Sequence, residues 1–171
     1  MFSKRITLFL SFVLLPILVL AQVNKSILDE KELDVHILMQ DRLLFHLFFE
    51  KMDSTGVEPL IHEDFEFYHD LSGFMDSKEQ FLNTVSAFQQ MEQKISREII
   101  PSATECFYLY DSDLLYAVLQ RGEHVFYEQY PNQEKRETSR AKFSHLWVLS
   151  EGQWCLKRVF SFEHILPASP Q

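Results

Sequence analysis

From Ser26 to Met52 the apolar positions Leu33, Ile37, Leu44, Leu47, Phe48 and Met52 recur at helical spacing, with Asp29, Glu30 and Glu32 in the first turns. The pattern predicts a long amphipathic helix closed at Ser54-Thr55-Gly56, then a short one from Val57 to Ile61 with Pro59 in its first turn. A third helix follows Asp76 and Glu79, which are spaced like a capping box, and its buried stripe is Phe81, Leu82, Val85, Phe88 and Met91. Elsewhere the period drops to two. Strands are predicted from Phe65 to His69, Arg97 to Ile100, Thr104 to Tyr110, Leu114 to Tyr130, Ala141 to Leu149 and Trp154 to Ile165, with a polar hairpin loop from Pro131 to Ser139. Helices followed by a run of antiparallel strands make an α+β arrangement, with helices covering one face of a strongly bent sheet.

Four of the strands carry histidine at alternating positions. Phe65, Phe67 and His69 share one face, as do His124 and Phe126, Phe143, His145 and Trp147, and Arg158, Phe160, Phe162 and His164. An aromatic face interrupted by imidazole is read as a pocket wall. The opposite face sets Leu119, Val125, Tyr127, Leu146, Val148 and Val159 between Arg121, Glu123, Lys142, Ser144 and Lys157, too apolar for solvent alone, and predicts a homodimer.

The N-terminus changes the picture. Met1 to Arg5 is basic, Ile6 to Leu20 is apolar and Ala21 precedes a polar Gln22, the layout of a cleaved signal peptide. The expected organisation is a signal at 1–21, an extension at 22–32, one domain at 33–166 and a tail at 167–171, exported to a periplasm or the outside medium. Losing Lys4 and Arg5 takes the formal net charge from −9 to −11, which argues against nucleic acid and anionic lipid, so no membrane contact is expected after cleavage. Cys106 and Cys155 are compatible with a disulfide or with two buried thiols. With no CxxC, HxH or HExxH spacing, neither a metal nor a cofactor is expected. Asn24-Lys25-Ser26 is a glycosylation sequon at the mature terminus.

The segments DFEFYHDLSG (from Asp64), RGEHVFYE (from Arg121), AKFSHLW (from Ala141) and RVFSFEH (from Arg158) resemble the SnoaL-like and domain-of-unknown-function branch of the nuclear transport factor 2-like superfamily, over roughly Leu33 to Leu166. The resemblance implies a cone: three helices packed on a strongly curved antiparallel sheet around a pocket open at one end. It includes isomerases, cyclases, dehydratases and binding or association modules, and the tyrosine and acidic pair of an isomerase do not map onto this chain.

The pocket is accordingly expected to use Phe67, His69, His124, Phe126, Phe143, His145, Trp147, Arg158 and Phe160. His124 and His145 suit a general base or a neutral, hydrogen-bonded imidazole; Arg158 suits a ligand carboxylate or an internal salt bridge to Glu128 or a helix carboxylate; His69 suits the pocket mouth or a histidine satisfied by loop carbonyls. His69 and Asp70, as strand neighbours, point apart unless the strand breaks there. His164 is expected near the rim or packed beneath the C-terminal tail, and His36, His46 and His62 on the surface or in packing. The leading expectation is an exported protein binding a small apolar or aromatic molecule. The alternative is a cofactor-independent SnoaL-like enzyme of isomerase, cyclase or dehydratase type, with His124 or His145 as base and Arg158 or His69 stabilising negative charge. A third is an association or structural module.

Overall fold

The computed structural model describes residues 30–167, so the segment expected to be a signal at 1–21, most of the expected extension and nearly all of the expected tail at 167–171 lie outside the described residues. Helix α1, Glu30–Phe45, buries Leu33, Ile37 and Leu44 and runs directly into a π-helical turn, His46–Lys51. The turn ends at Met52, whose left-handed φ of 51° reverses the chain. The residues expected to close the first helix instead begin another one. Asp53 caps α2, Ser54–Val57, by accepting from the Gly56 amide at 3.0 Å, and a 3-10 turn over Glu58–Leu60 absorbs Pro59. Helix α3, Lys78–Phe88, is capped by Ser77 rather than Asp76, and Met91 lies beyond its end.

The sheet has seven strands: β1 Ile61–His69, β2 Gly73–Met75, β3 Lys94–Ile99, β4 Glu105–Asp111, β5 Leu114–Gln129, β6 Arg136–Ser150 and β7 Gln153–Ile165. Their order is β2-β1-β7-β6-β5-β3, and β4 pairs with the other half of β5. The expectation of a wholly antiparallel sheet is corrected: β1 runs parallel to β7. Between them the chain runs through β2, α3 and β3 to β6, a connection long enough to return it to the same end of the sheet, as a parallel pair requires. The hairpin loop is shorter than expected, since β6 begins at Arg136 and pairs Arg136 with Glu128.

Register shifts occur in the β1–β7, β4–β5, β5–β6 and β6–β7 pairs, irregularities of the kind that bend and twist a sheet. Gly122 marks a close crossing, where a Cβ would lie 2.6 Å from Thr104 Oγ1 and 3.0 Å from the Ala103 carbonyl. Phe65, Phe81, Val85, Trp147 and Leu156 fill the space between helices and sheet together with the α1 stripe. Both cysteines are free; burial, with Asp34 nearby, pushes the Cys106 thiol up to about 12. No helix among the described residues is long and apolar enough to cross a membrane.

Candidate functional site

The core does not close completely. A cavity of about 570 Å³ remains between the π turn, α3 and the concave sheet, walled by Phe45, Phe48, Phe49, Phe67, Phe81, Phe88 and Phe126. Into it also face His69, Arg97, His124, His145, Ser161 and His164, and its rim includes Leu71, Ser72, Phe74 and Met91.

At the α1 end the polar group is built on Asp41, which sits on the apolar stripe between Ile37 and Leu44 and is fully buried. Arg97, between Ile95 and Ile99 on β3, reaches it with Nη1 at 2.6 Å from Oδ2, and the guanidinium lies 4.0 Å over the Phe45 ring. His145 Nδ1 approaches Asp41 Oδ1 to 2.9 Å, too obliquely for a well-formed hydrogen bond. Burial opposes the charge on Asp41, but Arg97 and His145 together outweigh it and hold the carboxyl below the usual carboxylate range. Arg97 Nε donates to His124 Nδ1 at 2.7 Å. Burial first, and the neighbouring guanidinium second, push His124 far below the ordinary histidine value. Burial also lowers His145, against the pull of Asp41.

The second polar group lies toward the mouth. His164 Nδ1 is 2.5 Å from Asp70 Oδ1, and its Nε2 is 3.4 Å from Ser161 Oγ, which in turn lies 3.5 Å from His124 Nε2. His69 stacks on His164 with ring centroids 4.3 Å apart, while its Nδ1 accepts from the Leu71 and Ser72 amides at 3.1 and 3.2 Å. Burial, then His164, lower His69; Asp70 is held low because its bonds to His164 outweigh its desolvation. β1 breaks at His69, so Asp70 turns back beside its neighbour, 3.5 Å from His69 Nδ1. Donor atoms of His69, Asp70 and His164 fall within 4.8 Å of one another, a set with the chemistry for a divalent cation, but the His69 and His164 Nδ1 atoms already serve the bonds just described.

The structure thus places Phe67, His69, His124, Phe126 and His145 on the cavity wall. Phe143 and Trp147 share that face but are fully packed, with Trp147 Nε1 bonded to Gln120 Oε1 at 2.8 Å. Arg158 and Phe160 are corrections. In the β6–β7 register Val159 lies opposite His145 and Ser161 opposite Phe143, so Arg158 and Phe160 point outward. Arg158 Nε pairs with Glu66 at 2.7 Å on the neighbouring strand, not with Glu128 or a helix, and Phe160 stacks on Tyr68 at 4.8 Å. Val159, expected outside, lines the cavity. His164 recovers the inner face only because Glu163 takes a φ of 56° at the β6–β7 irregularity.

Sequence reasoning missed Asp41, Asp70 as a partner, Arg97 and Ser161. The available signals were a carboxylate in the middle of an apolar helical stripe and an arginine between two isoleucines on a strand.

No family model matches the chain, and no curated protein matches it in sequence. Solved structures match it well. ActVI-ORFA from Streptomyces coelicolor aligns with a TM-score of 0.64 at 12% identity, over 77% of this chain and 96% of that one. A nuclear transport factor 2-like superfamily protein from Salmonella enterica serovar Typhimurium gives 0.62 at 14% identity, over 84% and 96%. The association domain of C. elegans CaMKII gives 0.59 at 10% identity, over 77% and 95%. At these identities the agreement is one of architecture, and the chain has the cone-shaped nuclear transport factor 2-like fold.

Proposed function

We propose that this is an exported protein that binds a small apolar or aromatic molecule in its cone. The observation that carries the reading is the cavity itself: about 570 Å³, with phenylalanine walls and polar side chains gathered on the sheet side, the composition of a ligand site. A molecule of one or two rings fits this chemistry, its apolar body among the phenylalanines and a polar group toward His69, Ser161 or His164.

Calorimetric titration with a panel of small aromatic compounds tests this, with Val159→Phe as the cavity-filled control. Binding by the wild type and its loss in the variant are expected. Equal behaviour of the two proteins, or no binding by a folded wild type, overturns the reading.

Proton transfer by His124 or His145 is less well supported. Their burial makes both weak bases, and Arg158, the expected anion stabiliser, is outside the cone. Export rests on the first 21 residues, and N-terminal sequencing of protein recovered from its host is expected to begin at Gln22. A homodimer through the outer sheet face is part of the same proposal. Tyr68, Phe74, Leu119, Phe160 and Phe162 line an open groove there, and two structural neighbours are described as association domains.

A further inference from the structure

We infer that Ser161, His164 and Asp70 form a nucleophilic triad that cleaves a small apolar ester held in the cone; this rests on the cavity being a ligand site.

The proton positions follow from what each partner can do. Arg97 Nε only donates, so His124 Nδ1 accepts, and the neutral ring carries its hydrogen on Nε2, facing Ser161 Oγ at 3.5 Å. The Asp70 carboxylate only accepts, so His164 carries its hydrogen on Nδ1 and offers the Nε2 lone pair to Ser161 O–H at 3.4 Å. The serine therefore lies between one imidazole that takes its proton and another that donates toward it. At 3.4 Å this pair stands at the long end of hydrogen-bond reach, and proton transfer requires it to shorten as Oγ moves onto the ester carbon.

The backbone holds the three residues together. The Asp70 amide donates to the Ser161 carbonyl at 3.1 Å, and the His164 amide donates to Asp70 Oδ2 at 3.2 Å. In a regular strand, residues three apart face opposite ways. Ser161 and His164 meet because Glu163 occupies the left-handed region without being glycine, a conformation that costs energy and persists only where surrounding structure enforces it.

In the reaction, Ser161 Oγ bonds to the ester carbonyl carbon as its proton passes to His164 Nε2, and the carbonyl π pair moves onto oxygen, toward the His124 Nε2–H. Re-forming the carbonyl breaks the bond to the leaving alkoxide, which takes the proton from His164. Water from the open mouth then adds to the acyl-serine by the same route, giving the carboxylic acid and restoring the serine.

The test is a fluorophosphonate with a short apolar tail, followed by peptide mass spectrometry, alongside hydrolysis of p-nitrophenyl butyrate. A single adduct on Ser161 is expected, lost in Ser161→Ala and slowed about a hundredfold in His164→Gln. As a second handle, Ser161→Cys is expected to react with iodoacetamide well before Cys106 or Cys155. Aromatic-ligand binding by Ser161→Ala is measured in parallel. Binding without any adduct, an adduct elsewhere, or labelling that ignores His164→Gln overturns the triad and leaves the ligand site standing. Failure of both binding and labelling in folded protein removes both.

Discussion

The two faces of the one sheet carry similar chemistry under opposite conditions. On the inner face Arg97 and Asp41 pair with side chains 2% and 0% exposed, roofed by Phe45 and flanked by two histidines. On the outer face Arg158 pairs with Glu66 at a similar separation, but both side chains remain about a quarter exposed, beside the Tyr68–Phe160 stack. Water screens the outer pair, which leaves it with little net effect on stability. The inner pair has lost its hydration, so each member depends on the other to make its charge tolerable. A salt bridge on this sheet therefore has no fixed meaning. Its depth decides whether it is decoration or a constraint on which structure the chain adopts.

That contrast is most directly broken by matched substitutions. Arg97→Met is expected to destabilise the protein by about 3–5 kcal/mol in urea unfolding, because Asp41 is left buried and unpaired. The double variant Asp41→Leu, Arg97→Met is expected to recover much of that loss. Arg158→Met is expected to cost no more than about 1 kcal/mol. Equal effects of the two single variants would show that burial does not separate the faces.

Acid sharpens the same comparison at intermediate scale. His124 and His145 are lowered in the fold from an ordinary 6.5, so below that pH the unfolded chain binds protons that the folded chain does not. Stability is therefore full above about pH 6.5 and falls on acidification, with a limiting slope of about 1.4 kcal/mol per pH unit for each histidine. Asp41, whose folded value is depressed, contributes stability above its ordinary 3.8 that is lost only as the pH falls further. Urea midpoints between pH 5 and 8 are expected to show the histidine limb, and His124→Phe to flatten it. A wild-type profile level down to pH 5 would contradict the inner-face assignment.

The smallest expected change in fold stability comes from the outer aromatics. Phe160, 41% exposed, is expected to tolerate Ser within about 1 kcal/mol while sedimentation shifts from dimer toward monomer. Unchanged association would separate the outer groove from the dimer interface.

How far the sequence could be read follows from the same two faces. The period-two pattern located six of the seven strands, missing the three-residue β2 that follows the turn after His69, and the aromatic motifs led to the cone. Along β7, however, both faces are rich in apolar groups, so alternation showed which residues go together without showing which side was inside. Register against β6 decided that, and it moved Arg158 and Phe160 outward while bringing Val159 and Ser161 in. The reversal at Glu163 was illegible for another reason: turns of that hand are marked by glycine, and here a glutamate adopts one. Asp41 and Arg97 went unread because each is only a single polar residue within an otherwise apolar stripe. Their partnership exists only after β3 is laid across α1.

The parallel union of β1 and β7 also bears on how the chain folds. Among the described strands β1 is flanked by the short β2 and by β7, with Tyr68 paired to Phe160, so its longer edge is completed only by a contact that is very long-range in sequence. Asp70 and Ser161 are joined across the same seam. Pairings of such wide sequence separation slow folding, because the entropy of closing the loop is lost before the contact rewards it. One long-range pairing thus completes the sheet of the cone and also brings Asp70 to Ser161 at its mouth.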